Sequence, residues 1–118
     1  MYKGKKVSVV IPTYNESQSI REVIDGFFET GVVDEVVVVD NNALGNTKEE
    51  IAKTKARLVH EPKQGYGHAI MRGLREAKGD LVVVTEGDGT FQSKDIEKFL
   101  SYSDEFDVVL GSRTSREI

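Results

Sequence analysis

Short runs of β-branched residues alternate along this chain with segments whose apolar residues recur at helical spacing. The runs are rich in valine, which is typical of strands buried on both faces of a sheet. The segments between them place apolar residues three and four positions apart, as amphipathic helices do. The pattern predicts five strands, over residues 7–11, 35–39, 56–59, 81–84 and 106–110.

The segments between the strands predict four helices. Thr47 and Glu50 have the spacing of a capping box, in which two side chains bond two N–H groups at a helix start. Pro12 lacks an N–H and is expected to end the first strand. The predicted helices are 20–28 with Ser17 as N-cap and Gly31 as its end, 48–54, 66–77 with Gly79 as its end, and one that begins after Ser93.

Strands that alternate with helices of about a dozen residues predict an α/β fold. The expected architecture is a mostly parallel, Rossmann-like sheet with helices on both faces, formed by residues 1–118 as a single domain. Because crossovers between parallel strands are right-handed, every loop that follows a strand is expected at one edge of the sheet. In α/β sheets of this type, that edge is where ligands bind.

Polar residues gather in the loops predicted at that edge. Glu86 and Asp88 follow the most apolar strand and are separated by one glycine, which permits a tight turn and a close approach to a ligand. A hard divalent cation held by one or two carboxylates and by substrate phosphates suits such a loop. The other loop residues are Thr13, Tyr14, Asn15 and Glu16, then 40–42, then 63–67, and finally Ser112 and Arg113.

Two simpler interpretations of the acidic loop remain beside this one. Glu86 and Asp88 can be ordinary turn residues next to glycines. The spacing from Glu86 to Glu97 also imitates a calcium-binding loop. However, Phe91 occupies the place where that loop needs glycine, and a strand rather than a helix leads into it.

The segment after the third strand has the features of an anion-binding helix start. Gly65 and Gly67 match part of a dinucleotide fingerprint, but Ile70 stands where its third glycine belongs. Exposed amides and the helix dipole at such a start favour phosphate. Lys63 and Arg113 are candidate phosphate contacts, and Arg113 is favoured because it lies just past a strand end. His60 and His68 are interpreted as surface or capping residues.

Composition excludes several other classes of function. The net charge of −4 does not support a basic surface for nucleic acid, and the absence of cysteine removes disulfides, thiolate nucleophiles and Cys-based zinc sites. No apolar run approaches the roughly 20 residues that span a bilayer, and no signal-peptide block precedes Pro12. A cytoplasmic location is therefore expected.

Five segments together resemble family 2 glycosyltransferases, in the order in which that family carries them. The chain is most similar to the dolichol-phosphate mannosyltransferase and polyprenyl-phosphate glycosyltransferase branch, from about Lys6 to Arg113. The segments are 9–16 (VVIPTYNE), 37–40 (VVVD), 63–69 (KQGYGHA), 86–88 (EGD) and 111–113 (GSR).

The resemblance implies a GT-A fold that binds a nucleotide-diphosphate sugar, such as a GDP- or UDP-sugar, together with Mg²⁺ or Mn²⁺. It implies that Asp88 holds the metal with Thr90, which stands where this branch often carries a glutamine. Glu86 takes the place of the first acid of the family's Asp-x-Asp motif. The implied nucleotide-sugar-binding residues are Pro12, Tyr14, Glu16, Asp40, Lys63, Gly65, Glu86 and Arg113, and no catalytic residue is assigned.

The sequence departs from the family pattern at three positions, where Glu86, Thr90 and Asn41 replace an Asp, a Gln and a second Asp. The chain also ends at Ile118, where the resemblance implies an acceptor-binding half. We therefore expect the donor-binding part of a hexosyltransferase. Donor binding, rather than turnover, is the activity expected of this chain. An exposed apolar surface on such a part predicts a homodimer, and a lipid-phosphate acceptor would place it at the inner face of the membrane.

Two other classes of function remain open from the sequence. One is a non-catalytic nucleotide-binding or assembly module, which sequence alone does not separate from an enzyme part. The other is a signalling receiver domain, which has a similar length and an acid at a strand end. Against the receiver, the first strand ends in Pro12 and Thr13 rather than in an acidic pair, and the fifth ends in Gly111 and Ser112 rather than in a lysine.

Overall fold

The computed structural model describes residues 1–13, 20–42, 46–85, 95–101 and 108–111, with the backbone alone for the last range. Strands and helices alternate as the sequence predicts, and the fold class is confirmed. In chain order the elements are β1 (Val7–Thr13), α1 (Ile20–Glu29), β2 (Glu35–Asp40), α2 (Thr47–Ala52), β3 (Arg57–His60), α3 (Tyr66–Glu76), β4 (Leu81–Thr85), α4 (Ile96–Leu100) and β5 (Val108–Gly111).

The five described strands form one parallel sheet in the order β3-β2-β1-β4-β5. β1 lies in the centre, with Val9 opposite Val36 of β2 on one side and opposite Val83 of β4 on the other. The chain builds outward from β1 to β3 and then crosses back to β4 through α3. This reversal separates the carboxyl ends of β1 and β4, which in such sheets creates a crevice for ligands.

Helices cover both faces of the sheet, and the alternation of side chains along each strand divides the core in two. On one face α1, α2 and α4 bury Phe27, Ile51 and Leu100 against residues such as Val9 and Val38. On the other face α3 packs on a smaller cluster of Val10, Val37, Val39, Ala69 and Val84. The valine-rich runs of the sequence are therefore buried on both sides, as predicted.

α3 approaches the sheet closely because a glycine faces it. A Cβ atom added at Gly73 would lie 2.2 Å from Val10 Cγ1 and 3.2 Å from Val39 Cγ2. The helical spacing of the sequence predicts Ala69, Ile70, Leu74 and Ala77 on the inward side, and all four pack on this core, with Ala69 fully buried. The spacing of apolar residues along the helix did not indicate that Gly73 is the residue that faces Val10 and Val39 of the sheet.

Two local predictions are wrong. Pro12 does not end β1, which continues to Thr13. The registered pairing of β1 with β4 stops at Val10, and at Pro12 the strand is paired with Val39 of β2. Proline, which has no N–H, is tolerated at this position because β1 is no longer hydrogen-bonded to β4 there.

The capping box is the second error. Asn46, not Thr47, occupies the N-cap position of α2 and makes no side-chain capping bond. Glu50 instead accepts a hydrogen bond from Lys53 Nζ at 2.8 Å. The predicted N-caps Ser17 and Ser93 lie outside the described residues. Across the described part of the chain, no helix combines the length and apolar character that a membrane crossing requires.

Candidate functional site

Three polar residues are buried where central strands end at the carboxyl edge of the sheet. Thr13 closes β1, Asp40 closes β2 and Thr85 closes β4, and their exposed fractions are 2%, 1% and 0%. Burying polar groups costs free energy unless they are bonded. Their position on both sides of the point where the strand order reverses therefore marks this edge as the candidate site.

Asp40 is a buried carboxylate held by two cationic or potentially cationic side chains. Its Oδ2 lies 3.2 Å from Lys48 Nζ of α2 and 3.3 Å from His60 Nδ1 of β3. Both partners are more than half exposed, whereas the carboxylate is not. The carboxylate at the end of β2 is thus buried, but two of its partners are side chains that reach solvent.

Asn41 connects the end of β2 to the loop that follows β3. Its backbone N–H donates to Thr13 O at 3.0 Å. Its side-chain Nδ2 donates to Glu61 O at 2.9 Å and to Lys63 O at 2.8 Å, and its Oδ1 accepts from Gly65 N at 2.9 Å. One buried amide therefore fixes the backbone of three successive parts of the β3–α3 loop.

Glu61 supports the same loop from its other side. Its carboxylate accepts a hydrogen bond from Lys63 N at 2.9 Å and from Arg72 Nε at 3.1 Å. The backbone bond from Lys63, together with the charge of Arg72, holds the pKa of Glu61 below its usual range despite burial. Glu61 also lines a cavity of about 460 Å³ with Lys63, Met71 and Arg75.

Lys63 and Gly65, two of the predicted binding residues, lie in this loop. Within the described ranges Lys63 Nζ has no ion-pair partner, so its charge is available to an anion. Gly65 has a φ of 135°, a conformation that only glycine adopts without strain. Its N–H is already bonded to Asn41, so contacts from this helix start to phosphate would need the amides that follow it.

Thr85 lies directly before the acidic loop and its hydroxyl is unusual. The Oγ1 atom is buried and finds no hydrogen-bond partner among the described residues. Most buried hydroxyls in native proteins are bonded, so an exception at a candidate site is informative. The polar atom lies at the strand end nearest to Glu86 and Asp88 in the sequence.

The predicted site residues fall into two groups. Pro12, Asp40, Lys63 and Gly65 are described, and Asn41 joins the strand that ends in Asp40 to the loop that contains Lys63 and Gly65. Pro12 is a buried strand residue rather than the loop residue that was expected. The others lie outside the described residues, and their roles stay predictions: Tyr14, Glu16, Glu86, Asp88, Thr90 and Arg113.

A metal site was predicted at residues that the structure does not describe. Among the described residues no group of three or more His, Asp or Glu side chains converges on one point. The donor set that remains, the carboxylates of Glu86 and Asp88 with the hydroxyl of Thr90, consists of hard oxygen ligands, which fit Mg²⁺ or Mn²⁺. The buried hydroxyl of Thr85 directly precedes these residues in the sequence.

Sequence reasoning missed Lys48 and Glu61 as parts of this edge and set His60 aside; it placed Asn41 at the edge but gave it no role. Lys48 belongs to a helix that lies beside β3, and a contact with Asp40 requires the sheet order to be known. Glu61 is paired with Arg72 and Arg75 of α3, and that contact depends on where the helix packs. The signal for Asn41 was present, since it follows Asp40 directly, but it was interpreted as a departure from a family pattern.

The fold is an α/β domain of the Rossmann-like type, with the described strands in the order 3-2-1-4-5. The order excludes the receiver-type arrangement, which is 2-1-3-4-5. A model of the family described as glycosyl transferase family 2 matches residues 8–118. The chain belongs to this family, as the resemblance predicted.

Curated relatives support the same assignment. Protein RfbJ of Shigella flexneri is 28% identical over 96% of this chain and 89% of its own length. An uncharacterised glycosyltransferase of Mycobacterium bovis is 34% identical over 93% of the chain and 50% of its own. The dolichol-phosphate mannosyltransferase of Pyrococcus furiosus is 34% identical over 92% and 33%. The chain thus spans nearly all of the first relative, but half or less of the other two.

Solved structures confirm the predicted fold. Glucosyl-3-phosphoglycerate synthase from Mycobacterium tuberculosis superimposes with a TM-score of 0.75 at 28% identity, over 84% of this chain and 39% of that one. The same enzyme in complex with Mn²⁺, uridine diphosphate and glucosyl-3-phosphoglycerate gives a TM-score of 0.74 at 26% identity.

Proposed function

We propose that this chain forms the donor-binding part of a glycosyltransferase and binds a nucleotide-diphosphate sugar at the carboxyl edge of its sheet. The observation that carries this proposal is the burial of Thr13, Asp40 and Thr85 on both sides of the reversal in strand order. Membership of glycosyl transferase family 2 supports the reaction class. A uridine diphosphate sugar is the first donor to test, because a structural relative was solved with uridine diphosphate.

Each loop has a distinct role in this proposal. Pro12, Tyr14, Glu16 and Asp40 hold the nucleoside, while Lys63, Arg113 and the backbone amides that follow Gly65 contact the phosphates. Glu86 faces the ribose and diphosphate, and Asp88 with Thr90 holds Mg²⁺ or Mn²⁺. When bound, such a cation stabilises the negative charge that develops on the leaving nucleoside diphosphate. Asp40 is already buried and oriented by Lys48 and His60, which lowers the entropic cost of binding.

The overall reaction is glycosyl transfer. The bond between the anomeric carbon and the diphosphate oxygen breaks, and a bond from that carbon to an oxygen of the acceptor forms. We propose a polyprenyl phosphate as the acceptor, at the cytoplasmic face of the membrane. Support comes from the similarity to the Pyrococcus furiosus enzyme, whose name specifies dolichol phosphate.

Calorimetric titration with UDP-glucose and GDP-mannose in the presence of Mn²⁺ tests the donor site. The full chain is expected to bind one of them, and Asp88→Ala is expected to weaken binding at least tenfold, about 1.4 kcal/mol. Glu97→Ala is the matched control, because it removes an exposed acid from α4, and should bind like the parent.

Equal binding by the parent and Asp88→Ala, or binding by neither, would contradict the proposed site. Incubation with a labelled donor and a short polyprenyl phosphate then tests the acceptor. Glycosyl transfer to the lipid supports the enzyme assignment. Donor binding without transfer to any acceptor would favour a non-catalytic nucleotide-binding module. Analytical ultracentrifugation of the same samples separately tests whether the chain forms the predicted homodimer.

A further inference from the structure

We infer that Asn41 is a positioning residue of the donor site, and that its side chain has to be an amide rather than a carboxylate. The inference rests on the proposed function, because it concerns how the phosphate-facing loop of that site is held. It assigns a role to a position that the family resemblance marks only as a departure from the expected second Asp.

The contacts of Asn41 use nearly all of its hydrogen-bonding capacity. Its two N–H donors go to two backbone carbonyls, Glu61 O and Lys63 O, at 2.9 and 2.8 Å. Its oxygen accepts the N–H of Gly65 at 2.9 Å. The side chain is 5% exposed, so water does not substitute readily for these partners.

The pattern of partners also fixes which end of the amide is which. Rotation of the amide by half a turn would place its oxygen against two carbonyl oxygens and its NH₂ against an N–H group. An aspartate at this position meets the same difficulty permanently, because an ionised carboxylate only accepts hydrogen bonds. Two carbonyls would then face a negative charge at less than 3 Å.

The groups held by Asn41 are the ones proposed to face the diphosphate. Lys63 has no ion-pair partner in the described part of the chain, and Gly65 precedes the first turn of α3 in a conformation reserved for glycine. Because Asn41 follows Asp40 directly, one dipeptide sets both the nucleoside-facing carboxylate and the phosphate-facing loop. Asn41 therefore acts through Lys63 and Gly65 and does not need to touch the ligand.

Asn42 offers a matched control for a substitution at Asn41. It is adjacent and exposed, and its Nδ2 also reaches the β3–α3 loop, at Pro62 O (3.2 Å) and Gln64 Oε1 (2.9 Å). Asn42→Asp introduces the same negative charge next to the β3–α3 loop. The bonds that it changes are exposed rather than buried. Its φ of 63° is one that aspartate tolerates.

The test compares Asn41→Asp, Asn42→Asp and the parent in the full chain, by titration with UDP and with uridine. Asn41→Asp is expected to weaken UDP binding at least tenfold and to change uridine binding less than threefold. Asn42→Asp should change both by less than threefold. Amide exchange at Gly65 is expected to accelerate in Asn41→Asp alone, and Asn41→Ser, which is uncharged, serves if the aspartate variant does not fold.

Each other outcome counts against the inference. If the parent binds UDP and Asn41→Asp binds it equally well, the inference fails while the proposed function stands. Equal losses in Asn41→Asp and Asn42→Asp would mean that added charge, not the amide, matters. Parallel losses for UDP and uridine would indicate a structural role only. If the parent binds neither ligand, the proposed function fails and this inference fails with it.

Discussion

Both edges of the sheet carry carboxylates, but these carboxylates differ in burial and in their partners: Asp34 and Asp80 at the amino edge are exposed, whereas Asp40 at the carboxyl edge is buried. At the amino edge Asp34 accepts the N–H of Val7 at 2.8 Å and Asp80 accepts the N–H of Lys6 at 3.0 Å. At the carboxyl edge Asp40 is contacted by the side chains of Lys48 and His60. The two aspartates at the amino edge are therefore bonded to backbone N–H groups, whereas Asp40 at the carboxyl edge is contacted by exposed side chains.

Glu35 shows the structural use of a carboxylate most clearly. It accepts hydrogen bonds from Ser8 Oγ at 2.5 Å, from Lys78 N at 2.7 Å and from Arg57 at 3.2 Å, and so joins β1, β3 and the α3–β4 connection. The backbone N–H of Lys78 cannot leave Glu35 without a change in the fold. Exposed side chains such as Lys48 can rotate away, so a ligand can compete for Asp40. The difference indicates that the amino edge contributes mainly to stability, whereas Asp40 at the carboxyl edge is reached by side chains that extend into solvent.

The largest expected effect is that of Gly79→Ala at the amino edge. An added Cβ would lie 2.5 Å from Ser8 Oγ, 2.8 Å from Ser8 N and 2.9 Å from Lys6 O. Because two of these atoms are backbone, relief requires a shift of β1, and we expect a loss of about 3 kcal/mol in the free energy of unfolding. Urea denaturation followed by circular dichroism measures it.

Gly67→Ala is the control for the same substitution. Gly67 lies in the first turn of α3 with open space around it, so alanine should raise stability by about 0.5–1 kcal/mol through helix propensity. Equal stability of the two variants would show that β1 and the α3–β4 connection are not packed as closely as described.

The second prediction compares the neutralisation of one carboxylate from each edge of the sheet. Glu35→Gln should lower the free energy of unfolding by about 1–2 kcal/mol, since it weakens charge-assisted bonds, and should leave nucleotide affinity unchanged. Asp40→Asn should weaken nucleotide binding at least tenfold, about 1.4 kcal/mol. Denaturation and calorimetric titration of both variants measure the four quantities. A loss of nucleotide affinity in Glu35→Gln would remove the distinction between the edges.

The smallest effect concerns acid pH. Burial raises the pKa of Glu35, but the bonds from Lys78, Ser8 and Arg57 outweigh burial and leave that pKa below its usual range. A lowered pKa in the folded state adds stability that is present above the unfolded value of about 4.3 and is lost as pH falls through the folded value. Stability should therefore fall from about pH 5 downwards.

Asp34 behaves in the same sense, because the N–H of Val7 lowers its pKa. Melting temperatures between pH 3 and 7 measure the acid dependence. In Glu35→Gln the free energy of unfolding should change less steeply with pH. The slope should fall by at most the value for one proton, roughly 1.4 kcal/mol per pH unit. An identical acid limb in the variant and the parent would show that Glu35 is not the group that titrates.

Much of the fold could be predicted because valine runs and helical spacing are local signals. The structure places all five strands within two residues of their predicted bounds, and Glu35, Leu81 and Tyr66 begin their elements as expected. Pro12 was misjudged because the cost of a missing N–H depends on which neighbours a strand has. The edge that collects Asp40 and the 63–65 loop was predictable, since parallel crossovers put those loops together.

The sequence alone determined the fold class, the family and the position of Asp40 at a strand end, because each depends on residue type and spacing along the chain. Only the tertiary structure decided that Asn41 bonds three parts of one loop, that Glu61 pairs with arginines of α3 and that Gly73 and Gly79 face neighbouring strands. These are contacts between residues up to 71 positions apart. They depend on strand order and on the distance between packed elements, neither of which local pattern specifies.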